Sequence, residues 1–404
     1  MIRPKISHMF HPARTMNTAA SLIKTHVRIV KFGERCARMY ENDSRYDLAA
    51  VTRGFADRLF DTEDDGGILD RICASYEKAI GDEGTAPHQF HASPWWEKVR
   101  VSALDPVRRA LSSRDTASLR RMYRNLFRDP SSTGLAGVPF GNTRAYFSGK
   151  ISDLHRRYYL GDALCGIDHW QARTAAKYPL TALSCPATGN PFGVVLDGTL
   201  IRSGAPFHHY SSHATGRHLA QNGGTVVEIG GGFGGMAWYL LRDRSGVTYV
   251  DFDLPESLAL AAYYLLKAIP EKRFLLYGEA ELNSNALERY DIVLMPPFAV
   301  ECMPSASASV VFSSHTLSDL RSEALETYVQ QIARISAGKF LYMGSMRGAN
   351  SILTLTGFGE RYLRLAERRA SGWNAHRYPV SDEVECLFEP VMSTRMTKLA
   401  LRES

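Results

Sequence analysis

The chain has no Cys-x-x-Cys pair: its six cysteines stand at 36, 73, 165, 185, 302 and 386. That spacing gives neither a zinc knuckle nor a redox pair, and reduced thiols in a cytoplasm are the simplest account. Long hydrophobic runs are missing too. The longest, Leu258 to Leu266, is half the roughly 18 residues that a bilayer span requires, so no membrane crossing is expected. Neither sign of charge dominates. Forty-eight Lys and Arg against 42 Asp and Glu leave a formal net charge of +6 on 404 residues, which does not by itself argue for a nucleic-acid partner. Residues 1–33 carry six basic side chains, Arg3, Lys5, Arg14, Lys24, Arg28 and Lys31, and no acid. Superficially this is an organelle transit segment, yet a basic terminus leading into the first helix is the simpler expectation. No apolar h-region of a secretory signal is present.

What is present is ordinary globular composition, 45% hydrophobic and 22% charged, on a length that suits two or three domains. From about Ser44 to Lys177 apolar residues recur at helical spacing, as in Ile68, Ile72, Tyr76 and Ala79, or Leu119, Met122, Tyr123, Leu126 and Phe127. Strand-like alternation does not begin before Gly193. There, Val194 to Leu196 and Thr199 to Arg202 form two short β-type runs among glycines and prolines, a hairpin joining two domains. After Gly224 strands and helices alternate: strands over Thr225–Ile229, Val247–Phe252, Tyr290–Met295, Ser309–Ser314 and Lys339–Met346, with helices over Gly235–Arg242, Glu256–Ile269 and Glu323–Ile335. Such alternation predicts a mostly parallel sheet covered by helices on both faces, with ligands beyond the carboxyl ends of its strands. The divisions so read are a helical N-terminal domain over 1–140, a helix, linker and hairpin over 141–206, and an α/β domain over 207–404.

The segment Glu228-Ile-Gly-Gly-Gly-Phe-Gly-Gly235 follows an apolar strand and opens a helix. Backbone N–H groups and the positive helix end are expected to face a ligand that approaches closely. Gly230, Gly232 and Gly235 fit the dinucleotide fingerprint, whereas Glu228, Gly230, Gly232 and Gly234 fit the acid-led loop of S-adenosylmethionine enzymes, and glycine spacing alone does not choose. Glu228 favours the second, because a carboxylate at the strand end suits a sulfonium amino acid and is out of place beside a pyrophosphate. The second strand ends Val250-Asp-Phe-Asp-Leu-Pro-Glu256. Asp253 is the candidate for the two ribose hydroxyls, with Asp251 in reserve.

These residues resemble the class I S-adenosylmethionine-dependent methyltransferases. Within them, Gly189-Asn-Pro-Phe-Gly193, the glycine loop, and Tyr249 to Glu256 followed by a helix with Tyr263-Tyr264 are similar to the sugar O-methyltransferase family, from roughly Ile68 to the C-terminus. Ser313, Thr316, Asp319 and Leu320 stand where that family carries Asn-x-x-Ser-x-x-Glu-Met. The resemblance implies an α/β fold: a Rossmann-like, seven-stranded methyltransferase domain, its last strand antiparallel with Met396 to Leu401 as candidate, behind the helical N-terminal domain. It also implies S-adenosyl-L-methionine as cofactor, contacted by Glu228, Gly230, Gly231, Gly232, Phe233, Gly234, Asp253, Leu254 and Pro297, and methyl transfer to a small-molecule sugar or glycosylated natural product.

Met295-Pro-Pro-Phe298 lacks the Asp or Asn with which amino-methyltransferases grip a nitrogen, so Pro297 and Phe298 are read as walls of an adenine pocket. Without an aromatic and basic stacking platform, no nucleic-acid substrate is expected. A hydroxyl needs a base as the methyl moves in line. His315, just past the fourth strand, is the candidate, with Asp319 one helical turn on to orient it. A capping or solvent-facing histidine is the bland alternative. His208, His209, His213 and His218 are read as an interdomain polar surface rather than metal ligands, and Asp382, Glu383 and Glu385 as an exposed charged turn. Trp95, Trp96 and Trp170 are expected in the helical core. The helical half should wall part of the acceptor pocket, and it offers a surface through which copies could pair as a homo-oligomer. Two other classes stay open: an NAD(P)-dependent oxidoreductase on the same glycines, and a cofactor-binding protein without catalysis.

Overall fold

The computed structural model describes residues 12–59, 65–135, 151–345, 361–377 and 383–391 with Gly357, excluding the side chains of 12–25 and of Asp319. Among the described residues seven α-helices precede the first strand: α1 (Pro12–Met39), α2 (Leu48–Gly54), α3 (Gly66–Glu83), α4 (Pro94–Arg100), α5 (Asp105–Ser112), α6 (Thr116–Arg124) and α7 (Asp153–Arg173). Their starts are written locally. Asp47, Ser93, Asp115 and Ser152 each accept a hydrogen bond from a first-turn N–H that would otherwise be orphaned. Next come β1 (Gly193–Leu196) and β2 (Thr199–Arg202), antiparallel as the expected hairpin. Asp197 and Gly198 both take positive φ, 48° and 74°, the two-residue turn whose twist matches the strands.

The remaining elements are α8 (Ala205–Gly216), β3 (Gly224–Ile229), α9 (Gly235–Asp243), β4 (Val247–Phe252), α10 (Pro255–Ala268), β5 (Phe274–Leu276), α11 (Ser284–Arg289), β6 (Ile292–Met295), β7 (Ala308–Ser314), α12 (Ser322–Ile335), β8 (Ser336–Ser345), β9 (Leu363–Ala370) and β10 (Glu383–Pro390). They form one mainly parallel sheet in the order β5-β6-β4-β3-β7-β8-β10-β9. Strand β10 runs antiparallel to both neighbours. The described sheet therefore has eight strands, not seven. Its antiparallel strand is Glu383–Pro390, whereas Met396 to Leu401 lies outside the described residues. Besides β10, two strands are not legible in the sequence, for physical reasons. Strand β5 has three residues, too few to show a period. Strand β9 reads Leu-Arg-Leu-Ala-Glu-Arg-Arg-Ala, mostly exposed, its charges blunting a sheet edge.

Pleating sends alternate residues of each strand to opposite cores. Val227, Val250, Val293 and Val311 pack with α12 on one face; Val226, Tyr249, Leu294 and Phe312 pack with α10 on the other. Helix α10 is buried from Pro255 to Leu265, because α3 lies across its outer side. Leu69, Ile72, Tyr76, Leu119 and Tyr123 join the same core as Leu260 and Tyr263, so the helical half shares a core with the sheet. Buried polar ties reinforce that junction. Arg100 Nε and Nη2 donate to the two Glu256 oxygens at 2.6 and 3.1 Å, and Asp65 accepts from Arg124, Tyr263 and Lys267. The effect is to hold α4 and its preceding loop over the carboxyl ends of β3, β4 and β7, where parallel sheets bind ligands.

Candidate active site

The glycine loop leaves β3 after Ile229 and turns through positive φ at Gly230 (82°), Gly232 (62°) and Gly234 (83°). A methyl group on Gly230 would stand 2.0 Å from Thr316 Oγ1, and one on Gly231 would stand 2.5 Å from Asp251 Oδ2. No side chain fits either place. Three of the loop amides expected to face a ligand are instead bonded within the protein. Gly230 N donates to the Phe252 carbonyl at 2.9 Å, Gly231 N to Asp251 Oδ1 at 2.9 Å and Gly232 N to Asp253 Oδ2 at 2.8 Å. These three amides are thereby turned onto the end of β4, while Glu228 and Asp253 border the cavity.

Three carboxyl groups crowd beneath and beside it. Asp251 is fully buried under Gly231, its Oδ2 without a partner, and burial together with the charges of Asp253 and Glu228 holds its carboxyl well above the usual range. Asp253 Oδ1 accepts from Leu254 N at 2.7 Å; burial raises it to about 6, against the pull of the Gly232 and Leu254 amides. Glu228 is 4% exposed and accepts from the Tyr249 hydroxyl at 2.6 Å. Burial, partly offset by that hydrogen bond and reinforced by the Asp253 charge, raises it to about 7. Like charges in a dry site resist joint ionisation, and a cationic ligand relieves that conflict.

This yields a stability prediction. Because the Glu228 pKa is raised from 4.5 to about 7, the folded chain holds more protons than the unfolded one between those values, and this group's contribution to stability falls as pH climbs through the window. Glu228→Gln is therefore expected to match wild type near the bottom of the window and to exceed it above the top by on the order of 3 kcal/mol. Urea midpoints at acid and mildly alkaline pH measure this; an equal difference at both would contradict it.

Glu228, Gly230, Gly231, Gly232, Asp253, Leu254 and Pro297 all line a single cavity of about 440 Å³. Phe233 and Gly234 do not. Phe233 is buried against Phe127, His208 and Tyr264, and Gly234 caps the start of α9, where a methyl group would meet Leu265. Phe298 packs on Tyr277.

His315 opens into the same cavity. It follows β7 with φ +64°, a strained conformation for a non-glycine residue, secured by its N–H donating to the Met343 carbonyl at 2.8 Å. Its Nδ1 meets Ser314 Oγ at 2.8 Å and its Nε2 lies 3.4 Å from Glu383 Oε1. The side chain of Asp319 lies outside the described residues. The carboxylate found beside His315 is Glu383, on β10, held below its ordinary range, against the opposing effect of burial, by His315, Asn374 and Ser371. Glu383 and Glu385 are strand residues rather than an exposed turn. Glu385 is 4% exposed and bound by Tyr210, Arg173 and Arg369. Asp382 lies outside the described residues.

The aromatic expectation divides. Trp170 is buried and donates to His209 Nδ1 at 3.0 Å, but Trp95 and Trp96 line the cavity, where Trp95 is 42% exposed. Opposite them the turn after β9 brings Trp373 to the wall, its indole N–H buried without a partner. His209 is pushed down to about 4, chiefly by burial, and His213 Nδ1 meets the Tyr178 hydroxyl. Among the described residues no three His, Cys, Asp or Glu side chains are grouped to hold a metal.

No family model and no curated protein matches the chain. Among solved structures, it is similar to the pyocyanin biosynthetic protein PhzM at 13% identity and TM-score 0.35, over 47% of this chain and 56% of that one. The mitomycin 7-O-methyltransferase MmcR is 13% identical at TM-score 0.32 over 75% of this chain and 70% of its own. A TehB-like SAM-dependent methyltransferase from Corynebacterium glutamicum is 11% identical at TM-score 0.33, over 56% and 96%. Overlaps of this size assign no activity. The match to PhzM leaves nearly half of that protein uncovered.

Proposed function

We propose that this chain is an S-adenosylmethionine-dependent O-methyltransferase acting on a hydroxyl of a sugar or glycosylated small molecule. The observation that carries the reading is the orientation of the glycine loop. Its amides at Gly230, Gly231 and Gly232 are occupied within the protein, so it offers no nest to a pyrophosphate. It presents Glu228 and Asp253 to the cavity instead, which suits a cationic amino-acid end and a ribose diol. Leu254 and Pro297 are apolar walls for the adenine.

When bound, the cofactor supplies an electrophilic methyl group, which passes to the acceptor oxygen as the hydroxyl loses its proton. The protein's part is to receive that proton. A hydroxyl entering the cavity would replace Ser314 Oγ at His315 Nδ1, and Glu383 across Nε2 stabilises the imidazolium that forms. Trp95, Trp96 and Trp373 line the cavity and supply aromatic wall against which a sugar can pack. Calorimetry on the purified chain tests the cofactor directly: S-adenosylhomocysteine is expected to bind and NAD is not. Binding of NAD without S-adenosylhomocysteine would replace this reading with the oxidoreductase.

A further inference from the structure

Arg202, the last residue of β2, is 2% exposed yet lines the cavity. Its guanidinium lies 4.7 Å from the ring centres of both Phe127 and Phe233, two rings that meet edge to face at 5.2 Å. Nη1 donates to the Ser203 carbonyl at 2.5 Å and Nη2 meets His208 Nδ1 at 3.0 Å, while Nε has no partner. No carboxylate pairs with it among the described residues. His208 cannot compensate the charge, because burial and Arg202 itself hold that imidazole well below its usual range, neutral and accepting. The other buried arginine among the described residues, Arg100, is paired with Glu256, Glu83 and Glu97.

A buried guanidinium without a counter-charge costs several kcal/mol unless an anion joins it. The neighbouring rings weaken that cost, and Ser203 and His208 each take one N–H, but these partners are neutral and leave the positive charge without an anion. The positive ends of α8, beginning at Ala205, and of α9, beginning at Gly235, open near the same place. We infer that Arg202 is an anion anchor for the cavity, taking a carboxylate of the bound ligand. This rests on the methyltransferase reading, and that carboxylate has two sources: the amino-acid end of the cofactor or an acidic sugar acceptor.

Arg202→Met removes the charge and keeps most of the apolar stem, and Arg202→Lys restores the charge without the fork. Calorimetry compares S-adenosylhomocysteine with 5′-methylthioadenosine, which lacks the amino-acid end, and, with the first bound, glucuronate with glucose. Loss of a charged hydrogen bond is expected to weaken the carboxylate-bearing probe at least tenfold, with Arg202→Lys intermediate. If S-adenosylhomocysteine weakens and methylthioadenosine does not, the cofactor's carboxylate sits on Arg202. Weakening of glucuronate alone assigns an acidic acceptor. Retained methylthioadenosine binding shows that the variant is folded. Wild-type affinity of Arg202→Met for both carboxylates overturns the anchor. A wild-type chain that binds neither nucleoside overturns the cofactor reading instead, and the glucuronate arm, run without nucleoside, then decides Arg202 alone.

Discussion

His315→Ala is expected to lower methyl transfer by roughly a hundredfold or more while leaving cofactor affinity nearly unchanged, because a general base acts in the transition state and not in cofactor binding. The geometry gives this expectation its detail. His315 is held at the end of β7 by a backbone hydrogen bond to Met343 and aimed into the cavity between Ser314 and Glu383. Glu383→Gln preserves shape and removes the charge that stabilises the imidazolium, so its loss should be real but smaller. Turnover against a panel of sugar acceptors, with S-adenosylhomocysteine affinity measured in parallel, separates the two effects. Equal losses in turnover and affinity would make His315 a packing residue. Full turnover of His315→Ala that a chelator abolishes would point to a metal-assisted base, and the assignment of His315 would fall.

Asp253→Ala should weaken S-adenosylhomocysteine by about 2 to 4 kcal/mol, roughly 30-fold to 1000-fold in Kd. Two interactions would go at once. The carboxylate available to the ribose disappears, and so does the acceptor that pins Gly232 N and Leu254 N, so the loop loses its tie to the end of β4. Asp253→Asn keeps an oxygen for one of those amides and should fall between. Calorimetry giving the same affinity for wild type and Asp253→Ala would remove Asp253 from the ribose. Asp251, sealed beneath Gly231 and absent from the cavity wall, could not then take its place without opening the loop.

The alternation of strand, glycine loop and helix from Gly224 onward was legible because each signal is local. A buried strand needs consecutive apolar residues, a loop that approaches Thr316 and Asp251 needs glycine, and a strand ending Asp-Leu-Pro needs its proline at the next helix start. For the same reason the sequence by itself determined the α/β architecture, the hairpin at Asp197-Gly198, and the presence of Glu228, Asp253, Leu254 and Pro297 at one sheet edge. Only the tertiary structure decided which way the loop amides point, since that depends on two aspartates on a neighbouring strand. It also decided that Glu383, 68 residues from His315, stands beside that imidazole; a pairing across β7, β8 and β10 leaves no trace in spacing. Strand β9, mostly exposed and charged, and Arg202, which reads as the end of a hairpin, belong to the same class. Their roles arise from burial and from what packs against them, and those are set by contacts distant in the chain.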